Sequence, residues 1–339
     1  MKELKFIDLY AGIGGIRFAF ESAGASCIFS SEWNKYAQIT YESFHGELPE
    51  GDISGFKPKD IPNHNILTAG FPCQPFSLAG VSKKNSMGRA HGFDDPTQGT
   101  EFFKVKQILK TKKPEAFLLE NVKNLKNHDK GNTFKIIEEQ LDNAGYHFKD
   151  FIVNSKSWVP QSRERIFIVG FKKKFRLKKW LNQLEMAVPD KRLYELADVL
   201  IKEKDLRKKY GHKYTLTPGT WAALQRHKSN HFNKGNGFGF GLIERPFKDK
   251  VTRTMSARYH KDGAEILIQQ TDTEVPRRIV PYEAAKLQGF PESICKRLKG
   301  GDCPVSDSQL YKQFGNSVSV PVIQMFSKLI VDKLEELGV

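Results

Sequence analysis

The first 170 residues alternate short apolar runs with helix-like stretches, and that alternation limits the kind of sheet the chain can build. The runs are 5–10 (KFIDLY), 26–33 (SCIFSSEW), 64–70 (HNILTAG), 115–121 (EAFLLEN) and 165–171 (RIFIVGF). Helices are expected between them, over 14–23, 34–44 and 133–144. Strands that are apolar on both faces and linked by helices predict an α/β protein with a mostly parallel, doubly wound sheet. The charged start MKELKFIDLY is not a signal peptide, and no apolar run reaches the length of a membrane span.

After residue 171 the pattern changes. Residues 172–213 are rich in Lys and Arg and read as helical or irregular. Residues 215–270 carry Gly, Thr, Arg, Tyr and His in short strand-like pieces, which predicts a smaller, mainly β and loop region. A last helix is expected over 318–337, beginning near Pro321. The boundaries that follow are 1–185 with 310–339 for the sheet domain, and 186–309 for the smaller domain with its hinge.

Lys plus Arg number 54 and Asp plus Glu 39, a net charge of +15. An excess of this size suggests a polyanionic partner, most simply nucleic acid; a generally basic protein is the alternative. The four cysteines form no CxxC pair, so neither a disulfide framework nor a zinc module is expected, and no metal. The reading is a reduced, cytoplasmic protein.

The first strand ends in DLYAGIGGIRFAF, where Asp8, Gly12, Gly14 and Gly15 make a tight turn into a helix that lets a ligand approach the backbone. The dinucleotide fingerprint G-x-G-x-x-G fails because residue 17 is Arg, so no pyrophosphate cradle is indicated and a nicotinamide oxidoreductase is disfavoured. Glu32 closes the second strand, where a carboxylate can accept ribose hydroxyls. Trp33 offers a flat face, and Asp52 an acceptor for an adenine amino group. Each residue alone fits a capping turn with unrelated acids. Together, at successive strand ends, they describe an adenosine site without a phosphate site, which S-adenosylmethionine fits.

Cys73, in GFPCQPFS (70–77), lies between prolines that exclude helix and central strand. The thiol is therefore expected on a rigid loop after the third strand, where Arg163 and Arg165 would favour the thiolate. Glu120 ends the fourth strand. A structural ion pair with either arginine is its simpler explanation.

Six blocks occur in order over roughly residues 5–325: FIDLYAGIGG, GFPCQPFS, LLENVKNLKNHDKGNTF, VPQSRERIFIVGF, RRIVPYEAAKLQGFP and YKQFGNSVSVPV. Their order resembles that of the bacterial DNA (cytosine-5)-methyltransferases. The resemblance implies an S-adenosylmethionine-dependent methyltransferase fold with a target-recognition domain, S-adenosylhomocysteine as product, and double-stranded DNA as substrate. It implies that Cys73 attacks cytosine C6 and that Glu120 of ENV holds and protonates N3. Arg165 of RER would contact O2, with Arg163 orienting Glu120 or a phosphate. The cofactor site carried over comprises Tyr10, Gly12, Gly15, Glu32, Trp33, Asp52, Ile53, Pro72 and Asn316. Tyr10 stands where the family often has Phe, and Glu101 where Leu is common.

The target base must leave the helical stack. The Gly- and Ser-rich loop 77–99, with Lys83, Lys84 and Arg89, has the composition of a lid; an ordinary solvated loop is the alternative. GNGFGFGLI and VTRTMSARYHKDGAEILI resemble the recognition region of Dcm-like methylases, implying CCWGG with the inner cytosine methylated, or else CCNGG or CCGG. Arg253, Arg258, Tyr259 and Lys261 are the expected base or phosphate contacts. A tRNA methyltransferase and a silent DNA-binding protein are the competing readings. The chain opens directly on its first strand, so no extra N-terminal DNA-binding segment is expected. The remaining expectations are a monomer, nucleoid association, and a restriction endonuclease that acts on the same site without direct contact.

Overall fold

The computed structural model describes residues 3–72, 101–233, 235 and 239–339. Six strands form one sheet in the order β2-β1-β3-β4-β6-β5. They are β1 (Lys5–Leu9), β2 (Ser26–Ser31), β3 (Ile66–Gly70), β4 (Ala116–Val122), β5 (Tyr146–Asn154) and β6 (Glu164–Lys172). β1 to β4 run parallel. β6 is antiparallel to β4, and β5 is antiparallel to β6.

The sheet is covered on both faces, which is why its strands read as apolar runs. Phe6, Ile66, Leu118, Phe167 and Val169 face one side. There they meet Ile16 and Phe20 of α1 (Gly15–Ser22), together with Ile323, Phe326 and Ile330 of the C-terminal helix Val320–Glu336. Their neighbours Ile7, Leu67, Leu119 and Ile168 face the other side. That side is closed by Phe102, Val105 and Ile108 of Glu101–Lys112 and by Phe134 and Ile137 of Asn132–Asn143. The expected C-terminal helix forms with Pro321 in its first turn, and Ser327 Oγ donates to the Ala19 carbonyl at 2.9 Å.

The sheet is mostly parallel, as expected, but two features differ from the sequence reading. β5 was not foreseen. Its YHFKDFIVN carries His147, Lys149 and Asp150 because it is an edge strand with only part of its surface covered. The smaller region holds less β structure than expected: Leu242–Ile243, Leu267–Ile268 and Arg277–Arg278 pair as a three-stranded sheet of two-residue pieces. The helix Pro218–Asn233 occupies part of the stretch read as β. Its start was visible in TPGT: Thr217 Oγ1 accepts from Thr220 N at 3.1 Å, with proline at the first helical position.

The smaller region is not walled off from the sheet. Tyr214, Met255, Tyr259 and Ile268 belong to the same buried cluster as Phe6 and Leu118. Phe290 packs its ring on Phe18 and Phe44. Arg277 makes a buried two-pronged pair with Glu283 at 2.8 and 2.9 Å, and Glu283 also accepts from Ile201 N and Val280 N.

Candidate active site

A cavity of about 650 Å³ opens at the carboxyl edge of β1, β3 and β4. The turn after β1 forms its floor. Tyr10, Gly12 and Gly14 all take left-handed φ, at 57°, 59° and 77°. Gly14 admits no side chain, since a Cβ would lie 1.9 Å from His45 Nε2. Glu32 follows β2, buried, with Oε2 accepting from Gly12 N at 2.9 Å and Oε1 from Asn34 N at 2.7 Å. Burial raises its pKa, while these backbone donors oppose the shift. A carboxylate has about four lone-pair positions, so Glu32 can still accept from a diol.

Trp33 is 68% exposed and lines the same cavity, so its face is open to a ligand. Asp52 lines an adjoining pocket with Ile53 and Pro72. One of its oxygens, Oδ1, is taken by Ser54 N at 2.8 Å and Ser54 Oγ at 2.6 Å, which hold its pKa down. Gly15 and Asn316 both line the main cavity, Asn316 from the last position of the helix Asp307–Asn316.

Glu120 sits at the end of β4, opposite Gly70 in the register with β3. Burial raises its pKa, and Arg165 followed by Arg163 lowers it. Arg165 Nε lies 3.2 Å from Glu120 Oε1. The antiparallel course of β6 makes this pair possible: Arg165 pairs with Val122 at the carboxyl end of β4. A parallel fifth strand would have started at the opposite edge, so Arg165 reaches Glu120 only because β6 is antiparallel.

Arg163 also lines the cavity, but its hydrogen bonds go elsewhere. Its guanidinium donates to three main-chain carbonyls, Met255 at 3.0 Å, Gly315 at 3.0 Å and Ser317 at 2.6 Å. No hydrogen bond to Glu120 occurs among the described residues, and burial lowers its pKa to about 9. It is a clamp that joins the smaller region to the end of the helix bearing Asn316. The approach there is close: a Cβ on Gly315 would stand 2.3 Å from the Ser256 carbonyl.

The other expected contacts separate by exposure. Arg253, Arg258 and Lys261 are exposed, with Arg253 Nη1 donating to the Gly239 carbonyl at 2.7 Å. Of these three, Arg258 lines the cavity. Tyr259 is a correction: it is fully buried, donates to the Ile266 carbonyl and accepts from Ile279 N, both at 2.8 Å. A tyrosine with both hydroxyl roles filled inside the core has no surface for DNA. His260, Gln309 and Lys312 also line the cavity and were not singled out, although Lys312 lies within the block YKQFGNSV. Cys73 lies outside the described residues, as do Lys83, Lys84, Arg89 and loop 77–99. Pro72 is described, and Asn121 Nδ2 donates to the preceding Phe71 carbonyl at 2.8 Å.

Fold and cavity define an α/β enzyme with its site at the carboxyl edge of the sheet. Residues 4–332 match the family described as C-5 cytosine-specific DNA methylase, and the chain belongs to it. It is 43% identical over 382 residues to the DNA-cytosine methyltransferase of Escherichia coli K12, covering 98% of this chain and 78% of that protein. It is 46% identical over 335 residues to Type II methyltransferase M.SsoII of Shigella sonnei, covering 98% and 81%. Among solved structures, the S. pombe Dnmt2 methyltransferase superposes with a TM-score of 0.70 at 21% identity, covering 98% and 99%, a likeness of fold alone. The chain is thus a DNA cytosine-5 methyltransferase.

Proposed function

We propose that this enzyme flips the inner cytosine of CCWGG out of duplex DNA and methylates its C5. The observation that carries the mechanism is the buried Glu120–Arg165 pair, one register step from the strand that leads to Cys73. Cytosine C5 is a poor nucleophile. Attack of the Cys73 thiolate on C6 makes the ring enamine-like, and Glu120 supplies a proton to N3 so that negative charge does not build there. Burial of Glu120 favours the protonated form this step needs. Arg165 holds O2; once C5 carries the methyl, loss of the C5 proton, departure of the Cys73 thiolate and return of the N3 proton to Glu120 restore the ring.

The cavity fits S-adenosylmethionine by its donor set: a carboxylate held for a diol, an open indole face and no phosphate cradle. Bound there, it would supply an electrophilic methyl. Glu32, Trp33, Asp52, Ile53 and Asn316 would hold the nucleoside, with Tyr10, Gly12, Gly15 and Pro72 shaping the pocket. Arg253, Arg258 and Lys261, with Lys83, Lys84 and Arg89, would meet the DNA. The choice of CCWGG over CCNGG or CCGG rests on the Dcm-like blocks 235–243 and 251–268. The Type II names of relatives such as M.SsoII support a restriction-modification role beside an endonuclease for the same site, in the bacterial cytoplasm. A monomer suffices for chemistry on one strand at a time.

Bisulfite sequencing of plasmid DNA, incubated with protein and S-adenosylmethionine beside a Cys73→Ser control, tests this reading. Protection confined to the inner cytosine of CCWGG, absent in the control, is expected. Protection at CCNGG would correct the site. No protection by a folded protein that binds S-adenosylmethionine would favour an RNA substrate or a silent binder.

A further inference from the structure

Tyr10 carries a side chain in a left-handed backbone conformation that L residues seldom adopt. Its hydroxyl is held from another segment: it donates to Glu101 Oε2 at 2.7 Å and lies 3.1 Å from the Glu101 carbonyl oxygen. Glu101 opens the helix Glu101–Lys112, and Lys104 Nζ donates to both its carboxylate oxygens at 3.1 and 3.2 Å. Lys104 also bonds Ser54 Oγ, and Ser54 in turn bonds Asp52. The chain Tyr10–Glu101–Lys104–Ser54–Asp52 thus joins three segments far apart in sequence. Tyr10, Asp52 and Glu101 all line one pocket of about 200 Å³ with Glu32 and Trp33.

We propose that the Tyr10–Glu101 hydrogen bond is a positioning device that sets the wall of the nucleoside pocket, so that cofactor affinity depends on the pair as a unit. The inference rests on the reading of this pocket as the S-adenosylmethionine site. The pair does not touch the reacting atoms; it fixes where the Tyr10 ring stands in the pocket it shares with Trp33. Burial and then Glu101 push the phenol pKa upward, so the hydroxyl stays a donor at any working pH. Removing the carboxylate alone leaves the hydroxyl only its longer contact with the Glu101 carbonyl, whereas replacing both partners by apolar groups restores a consistent wall.

The experiment is calorimetric titration of the full chain with S-adenosylmethionine and with S-adenosylhomocysteine. Glu101→Leu is expected to weaken binding about tenfold and Tyr10→Phe about threefold. The double variant should recover to within about threefold of wild type, and Glu101→Gln, which keeps an acceptor, should rescue most of the loss. In steady-state assays the change in cofactor KM should exceed the change in kcat. If Glu101→Leu fails to fold, Tyr10→Phe and Glu101→Gln carry the comparison. Singles that bind like wild type, losses that simply add in the double variant, or a kcat that falls while Kd holds would each overturn the pair's role. A folded wild-type chain that binds neither nucleoside overturns the pocket reading and the inference together.

Discussion

On one side of the cavity, Glu32, Glu120 and the glycine turn stand at strand ends, so sheet register alone puts them within reach of one another. On the other side, Ala257 and Arg258 come from the short turn 257–260, Asn316 and Ser317 from the end of the helix Asp307–Asn316, and one buried arginine holds that wall in place. The strand wall rests on a buried acid instead. Asp8 of β1 is fully buried and bonded to Thr68 Oγ1 at 2.9 Å, and its Oδ2 has no hydrogen-bond partner among the described residues. Arg163 Nε likewise has none among the described residues. An acid in the core can give up its charge by keeping a proton; an arginine keeps its charge and must be satisfied by carbonyls. The two walls should therefore fail under different insults.

The largest effect is expected at the wall that Arg163 holds. Arg163→Ala removes three charge-assisted bonds and strands the carbonyls of Met255, Gly315 and Ser317. At about 1.5–3 kcal/mol for each such bond, a loss on the order of 5 kcal/mol is expected in urea unfolding. Arg163→Lys should fall between, since an ammonium cannot span all three acceptors. Arg165→Ala should cost far less stability, because Glu120 can take up a proton when its partner leaves. Equal destabilisation by the two alanine variants would erase the contrast between clamp and site residue.

At the strand wall the insult is pH. Burial raises the pKa of Asp8 from 3.8 to about 7, with the Thr68 bond and then Arg17 opposing. The native state thus binds a proton that the unfolded chain has already released. Stability is fully present below the unfolded value and is lost as pH rises through 7, by about 4 kcal/mol at most. His45, lowered to about 3, and His64, lowered to about 4, act with the opposite sign, so stability from them is lost as pH falls below 6.5. Comparison with Asp8→Asn isolates the acid, since the amide oxygen can still accept from Thr68. The variant's advantage over wild type should grow between pH 4 and pH 8 in urea titrations. A constant difference would show that Asp8 does not titrate there.

How much of this was legible follows the same division. Glu32, Glu120 and the glycine turn could be placed because apolar runs mark strands and the residues after them mark the carboxyl edge. Arg165 was found for a partly mistaken reason, since nothing in RIFIVGF distinguishes an antiparallel strand from a parallel one. β5 escaped because His147, Lys149 and Asp150 break its apolar pattern at an exposed edge. The clamp made by Arg163 was not foreseen because its partners are carbonyls of residues 255, 315 and 317, and a carbonyl leaves no mark in a sequence. Tyr259 was mistaken for a DNA contact because it lies between Arg258 and His260, yet the turn at 257–260 sends its ring inward.

That turn offers the finest test, on neighbouring residues. Arg258 is exposed at the cavity, while Tyr259 fills both hydroxyl roles in the core. Tyr259→Phe removes the donor to Ile266 and the acceptor for Ile279 N, and should cost about 1–3 kcal/mol of stability. Its DNA affinity, measured by fluorescence anisotropy below the unfolding range, should stay near wild type. Arg258→Ala should leave the unfolding midpoint in place. It should weaken duplex binding by about 1–3 kcal/mol if the guanidinium reads a base edge, with selectivity between CCWGG and altered sites relaxed. If it meets a phosphate, all duplexes should weaken together and the salt slope should fall by about one. Loss of DNA affinity in Tyr259→Phe with stability intact would return that residue to the interface and sink the division drawn between the two.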